Sequence, residues 1–559
     1  MKGIKDLGKR IVSGKWFFPI VMNVIVMLLL MLLFYAKYQC EMDILMQTLL
    51  YGCSSTGENV SHLVFINIIA GGILSFLAKV MPNIAWYTVM HYGATLVSLI
   101  SVSYVMVNRW GKTKTGKIIA TVLSIFVGYE CYITPMYMKT TILLTVVAVL
   151  WLVYSMTESK KGWIPAVFAV LFGGFASLLS FKVFIMGMMM SLAAAVIYVF
   201  VFREKRKRLI MPLISLAVIV AIAGGSHLID ERAYAQGSGW ESIGANRDVL
   251  EQLYVMGFPA YEKVEDALIE QGFEAVTSDI YSTMTQGFFR DSIDNAAVLN
   301  LIAQQHIKVT PDNVLLFFHT IPIKAFKTGM FYAWLVLAVL LAVFLPKKRA
   351  AGMIAISLAM VGIPYFVQYL SYGCNAQWMG MIAYMPAILF LLWQLPVLEV
   401  PEGENRYVAV YLCLMGLVLY YIFSGTVNGA LQNAEEIGDV VALQSEEGEY
   451  VHLLDITSYM QRFSIHTPYP KQVDQGNCYV VNGVYQWIQE FRNMQEATVQ
   501  SPMAYKIYTR NTNCRQNVVI NIKLFTSLKG YTREEISSFH GLHAFRMLSK
   551  EAVELGLGE

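Results

Sequence analysis

Long apolar runs separated by short polar turns fill the first three quarters of the chain, and the pattern breaks only after Phe423. The runs lie near Trp16–Tyr35, Leu63–Val80, Ile84–Val107, Ile118–Thr134, Thr141–Met156, Trp163–Ser180, Val183–Phe202, Leu209–Ile229, Met330–Leu345, Ala350–Leu370, Trp378–Val397 and Tyr407–Phe423. Most approach the roughly 18–20 residues that a helix needs to cross about 30 Å of hydrocarbon. The pattern predicts an α-helical polytopic membrane protein with about 11–12 membrane segments.

Two polar stretches interrupt it. Between Asp230 and Thr320 the apolar positions recur at helical spacing, as in "RDVLEQLYVMG" and "YEKVEDALIEQG", each closed by a glycine where a helix would end. Thr310 and Pro311 then read as the cap and first position of an amphipathic helix lying on the membrane. From Asn428 onward, "NCYVVNGVYQWI" and "NVVINIKLFT" read as strands and "TREEISSFHGLHAFRMLSKEAVEL" as a helix, so a C-terminal α+β external domain is expected. The expected organisation is an N-terminal membrane domain over 1–229 with a first external loop at 37–62. An external helical insertion over 230–328, membrane helices over 329–425 and an extracytoplasmic domain over 426–559 follow.

Charge orients the spans. Lys2, Lys5, Lys9, Arg10 and Lys15 precede the first run, which places the N-terminus in the cytoplasm. "REKRKR" (Arg203–Arg208) and Lys347, Lys348 and Arg349 agree with one another as cytoplasmic if Asp230 to Thr320 lies outside. Arg109, Lys112, Lys114 and Lys117 match that count only if one earlier segment fails to cross, or if a helix has been split wrongly. Leu63–Val80, with Asn67, two glycines and Lys79, is the weakest span and is expected to be re-entrant or interfacial.

Composition narrows the chemistry. Hydrophobic residues make up 56% of the chain and charged residues 14%, and the net charge of +3 says little about partners. There is no phosphate-cradling glycine loop, no HExxH or paired CxxC, and no GxSxG, which disfavours an ATP-driven pump, a zinc protease and a serine hydrolase. The Met-rich "FIMGMMMSL" reads as flexible packing and not a copper site, and His91 and His227 read as hydrogen-bonded structural histidines. Cys40 with Cys53, and Cys478 with Cys514, are either disulfides of the outer face or small apolar residues.

What remains is "QCEMDILMQTLLYG", whose Glu41 and Asp43 sit just past the first span on the expected outer face. On an extended segment residues two apart point the same way, so the pair would share a divalent cation; on a helix only one of them faces a given partner. A solvated interfacial loop is the plainer account of the same residues. The following "LLYGCSSTGENVSHLVFINIIAGGILSFLAKVMPNIAWY" resembles a group of bacterial multi-span proteins, as do "YITPMYMKTTILL" and "GANRDVLEQLYVMGFPAYEKVEDALIEQGF", the last through Asn246, Arg247, Pro259 and Tyr261. That group is in turn similar to the GT-C superfamily of membrane glycosyltransferases.

The resemblance implies a polyprenyl-phosphate-linked sugar as donor and an extracytoplasmic acceptor such as a surface glycan, at the cytoplasmic membrane of a bacterium. It makes Asp43 the base or metal-linked carboxylate and Glu41 its helper, with Mg or Mn as a candidate cofactor and no nucleic-acid partner. A cation is then needed for the donor phosphate. Lys182, between two apolar runs at the expected outer face, is the first candidate, and a lysine snorkelling to headgroups is its plainer reading; Arg247 is second. A transporter or flippase of lipid-linked saccharide, or a non-catalytic cell-surface binding protein, are the rival readings. The few charges within the spans disfavour ion-coupled transport.

Overall fold

The computed structural model describes residues 14–52, 59–109, 114–157, 162–201, 209–236, 240–281 except 279, 294–305, 309–325, 328–372, 379–394 and 405–423. In the C-terminal region it describes 451–455, 464–468, 478–481, 505–509, 532–539, 542–548 and 550–554. The loop Arg203–Arg208 lies outside the described residues, as do Cys53, Cys514 and "NVVINIKLFT".

Helix α1 (Phe17–Leu33) shows how the spans are built: Met22, Val26 and Leu30, spaced by four, are buried, while Leu28, Leu29, Leu32 and Leu33 are exposed. One stripe meets protein and the other is left for lipid. The next helices are α2 (Glu41–Leu50), α3 (Ile68–Val80), α4 (Trp86–Arg109), and α5 (Lys114–Gly128), which runs into a π-helical turn at Tyr129–Ile133. Then come α6 (Tyr137–Thr157), α7 (Trp163–Leu179), α8 (Phe181–Val201) and α9 (Ile210–Gln236). Helix α6 is almost wholly buried and packs against α4, α7, α8 and α9.

The insertion is helical, as its periodicity predicts: α10 (Glu241–Leu250) with a π-helical turn at Glu251–Met256, α11 (Glu265–Glu270), α12 (Asn295–Gln304) and α13 (Pro311–Ala325). Gly257 and Gly272, each just past a helical segment, have φ of 113° and 80°, positive values that glycine adopts without the steric cost a side chain would bring. Asn313 N donates to Thr310 Oγ1 at 3.2 Å, so Thr310 caps α13. Membrane helices resume with α14 (Gly329–Phe344), α15 (Lys347–Tyr372), α16 (Met379–Leu392) and α17 (Asn405–Phe423). Among the described residues six helices are long and apolar enough to cross a membrane, and six apolar helices are shorter. The chain is a multi-pass membrane protein.

Five strands, β1 (Val451–Asp455), β2 (Cys478–Val481), β3 (Tyr505–Thr509), β4 (Thr532–Phe539) and β5 (Leu542–Leu548), form one sheet in the order β2-β1-β3-β5-β4. β1 is parallel to β2 and β3, and β5 is antiparallel to β3 and β4. The helix expected over Thr532–Leu555 is therefore corrected: most of it is the β4–β5 hairpin, with only α18 (Lys550–Glu554) helical. Gly541 interrupts the helical pattern, and β3 offers β5 a ladder of hydrogen bonds, so tertiary pairing overrides weak local propensity.

The ends of α2, α4, α6, α8 and α9 that bear the polar residues meet at one end of the bundle. Tyr87 at the start of α4 and the amide of Tyr137 at the start of α6 both reach Asp43 on α2. Asp230 near the end of α9 accepts from Ile68 N at the start of α3. Tyr51, at the end of α2, donates to Ile84 O and accepts from Trp86 N, so both ends of α3 are tied to this same end. At 13 residues α3 spans about 20 Å, too short to cross on its own.

Candidate active site

Helix α2 begins at Glu41, which settles how the two acids are disposed. In an α-helix residues two apart point about 200° away from each other. Asp43 is fully buried, and Glu41 is half-buried on another side of the helix. The two do not present oxygens to a common point. Among the described residues no three His, Cys, Asp or Glu gather as a metal-ligand set, so the residues do not fit a shared divalent ion here.

Asp43 Oδ1 accepts from Tyr87 Oη–H at 2.7 Å and from Tyr137 N at 3.0 Å, with His91 Nε2 3.8 Å away. Tyr137 is the first residue of α6, so the carboxylate also faces the positive end of that helix's dipole. His91 Nδ1 in turn pairs with Thr140 Oγ1 at 2.7 Å. Asp43 Oδ2 is buried with no partner among the described residues. Burial raises the Asp43 pKa from 3.8 to about 7; the bonds from Tyr87 and Tyr137 and the charge of Lys139 pull it the other way.

Tyr137 carries the connection onward. Its hydroxyl donates to Glu251 Oε1 at 2.8 Å, and Glu251 Oε2 is 3.8 Å from Lys182 Nζ. Lys182, the second residue of α8, also pairs with Asp248 Oδ1 at 2.9 Å. Lys182, Asp248 and Glu251 line a cavity of about 200 Å³ together with Asn67, Arg247 and Asp230. Neither Tyr137 nor Asp43 lines it; Tyr137 reaches it through Glu251, and Asp43 through Tyr137. Burial raises the Glu251 pKa, against which Lys182 and the Tyr137 hydroxyl act.

The two candidate cations differ in how firmly they are held. Arg247 Nη1 sits 2.5 Å from Asp230 Oδ2, its guanidinium lies 4.8 Å from the Tyr234 ring centre, and Asp230 Oδ1 is itself fixed by Ile68 N at 2.7 Å. Asp230 is 5% exposed and Arg247 16%. Lys182 and Asp248 are 48% and 71% exposed, and an ion pair that open is worth about 0–1 kcal/mol. An incoming anion displaces Asp248 from Lys182 far more cheaply than it separates Arg247 from Asp230.

Several solved structures are similar to this chain. The apo oligosaccharyltransferase of Archaeoglobus fulgidus is 11% identical with a TM-score of 0.41, over 80% of this chain and 63% of that one. Archaeal oligosaccharyltransferase AglB from Archaeoglobus fulgidus, in complex with an inhibitory peptide and a dolichol-phosphate, is 10% identical with a TM-score of 0.45, over 95% of this chain and 74% of that one. ArnT from Cupriavidus metallidurans, bound to undecaprenyl phosphate, is 9% identical with a TM-score of 0.38, over 95% and 98%. The likeness is one of fold alone. At these TM-scores it decides nothing about family, substrate or reaction. The chain spans 63% of the length of the first of these proteins. No protein-family model and no curated protein sequence matches the chain.

Of the four residues singled out by sequence, Lys182 and Arg247 share the cavity, Asp43 is joined to it through Tyr137 and Glu251, and Glu41 lies apart. Tyr87, His91, Tyr137 and Glu251 were missed as site residues. Tyr137 lies inside "YITPMYMK" and Glu251 inside "RDVLEQLYVMG", both of which carry the resemblance, but nothing in either stretch tells which tyrosine or acid turns inward.

Proposed function

We propose that this chain is a membrane glycosyltransferase that moves a sugar from a polyprenyl-phosphate donor to an extracytoplasmic acceptor such as a surface glycan, with Asp43 as general base. The reading is carried by one observation: a fully buried carboxylate with one oxygen held by Tyr87 and Tyr137 and the other without a partner among the described residues. A pKa of about 7 suits a group that must accept a proton near neutral pH and pass it on.

In the proposed step the acceptor hydroxyl gives its proton to Asp43 Oδ2 as its oxygen attacks the anomeric carbon. The bond between that carbon and the phosphate oxygen breaks, and the electron pair leaves on the lipid phosphate. Lys182 balances the developing charge after releasing Asp248. Arg247, locked to Asp230, shapes the cavity wall. The step calls on no metal and gives Glu41 no direct part.

The test uses the full chain in native membranes with a radiolabelled polyprenyl-phosphate sugar. Asp43→Asn is expected to cut transfer by about 10²–10⁴-fold while leaving membrane insertion intact. Lys182→Met is expected to weaken donor binding about tenfold, the loss of one charge-assisted contact. Surface glycans that are identical with and without the gene would sink the proposal. A purely structural role is the rival for Asp43, since its carboxylate also holds the first amide of α6. In that case Asp43→Asn lowers stability and changes no glycan.

A further inference from the structure

A short strap from the C-terminal region, Ser464–Pro468, lies against α2 and α4, the helices that carry Asp43 and Tyr87. Ile465 is completely buried there, and its carbonyl accepts from the Thr88 hydroxyl. The Thr467 carbonyl accepts from Gln47 Nε2 at 3.3 Å, and the His466 ring centre is 5.7 Å from that of Tyr92. Strap and membrane domain therefore meet through backbone oxygens on one side and side-chain donors on the other.

Those donors are arranged by the helices that hold the acid. Gln47 is one turn along α2 from Asp43 and on the same face, and Thr88 follows Tyr87 on α4. The Tyr38 hydroxyl donates to Gln47 Oε1 at 2.6 Å and is 2.8 Å from Thr88 Oγ1, which fixes both side chains and turns their remaining donors toward the strap. The Tyr38 ring centre is 5.7 Å from that of Tyr87, which holds Asp43, and 6.4 Å from that of His91, and Asp43 Oδ2 and His91 Nε2 are buried without partners among the described residues. Buried polar atoms left unpaired are costly, and such atoms beside a row of fixed donors mark a place built for a ligand rich in oxygen.

We propose that Gln47, Thr88 and Tyr38 form the acceptor subsite, that its ligand is a saccharide whose oxygens take the places of the Ile465 and Thr467 carbonyls, and that the strap must withdraw to admit it. The proposal rests on the glycosyltransferase reading above. It assigns to the membrane domain the choice of acceptor, and to the C-terminal region control over access to Asp43.

Kinetics of the full chain, with a polyprenyl-phosphate sugar as donor and a soluble oligosaccharide as acceptor, test it. Thr88→Val and Gln47→Leu each remove one donor and are expected to raise the acceptor KM about tenfold with the donor KM unchanged. Thr88→Ser restores the wild-type value, and Ile465→Gly, which loosens the strap, lowers the acceptor KM. An unchanged acceptor KM, or a donor KM that moves equally, overturns the proposal.

A second readout does not depend on turnover. In a chain whose seven native cysteines are replaced by alanine, Gln47→Cys is labelled with a membrane-impermeant maleimide. Labelling is expected to speed up when Ile465→Gly is added and to slow down when the oligosaccharide is present. Labelling indifferent to both overturns the subsite even if the enzyme proves active. Protection without any transfer in wild type leaves the subsite standing and removes the glycosyltransferase reading instead.

Discussion

The folded protein keeps the Asp43 carboxyl out of water and raises its pKa from 3.8 to about 7. Between those two values the native state binds more protons than the unfolded chain, so stability falls as pH rises through the window and levels off above it. A shift of that size corresponds to a cost on the order of 4 kcal/mol at pH 8. With Asp43 in the proposed role of base, transfer is expected to rise with pH through about 7 and then flatten. Asp43→Asn is expected to melt above wild type at pH 8 and to lose that advantage near pH 4, as thermal unfolding in detergent would show. The acid was legible in the sequence because a carboxylate beside an apolar run stands out. Its partners were not: Tyr87 and Tyr137 lie 44 and 94 residues away, and only packing of α4 and α6 brings them to it.

Helices decide where those side chains meet, and two details show how little slack they have. Lys139 on α6 is 2% exposed and donates to Glu130 Oε2, Glu130 O, Thr134 O and Thr134 Oγ1 at 2.8–3.1 Å, while Glu130 Oε1 accepts from Gly329 N at 2.8 Å. This clamp ties the π-helical turn after α5 to the starts of α6 and α14. At Gly71 on α3 an added Cβ would stand 2.0 Å from Ser61 O, a backbone atom with no freedom to swing aside. Gly71→Ala is therefore expected to destabilise the protein by about 1–3 kcal/mol, read as a lower melting temperature and reduced yield in membranes. Long apolar runs made the spans readable and helical spacing the insertion; charge parity required one early segment not to cross, and Asn67, two glycines and Lys79 singled out the one that became α3. The C-terminal hairpin was misread because "TREEISSF" and "LHAFRML" carry no decisive period, and the neighbour that makes them strands, β3, is more than twenty residues away.

Seen as a whole, the polar ends of α2, α4, α6, α8 and α9 gather at one end of the bundle, opposite the ends from which the basic loops emerge. The expected orientation, with Lys347–Arg349 on the cytoplasmic side, would put that polar end outside. A reporter enzyme that works only outside the cytoplasm is expected to be active when fused after Phe423 and silent when fused after Leu345; the reverse pattern would invert the molecule. Chain order then adds a consequence of its own. The Gln47 and Thr88 contacts with the strap join residues 420 and 377 positions apart. During synthesis the walls around Asp43 are complete long before the ribosome reaches residue 464. Every newly made copy passes through an interval in which Gln47 and Thr88 have not yet met the strap, and a message cut short after α17 would leave them in that condition for good.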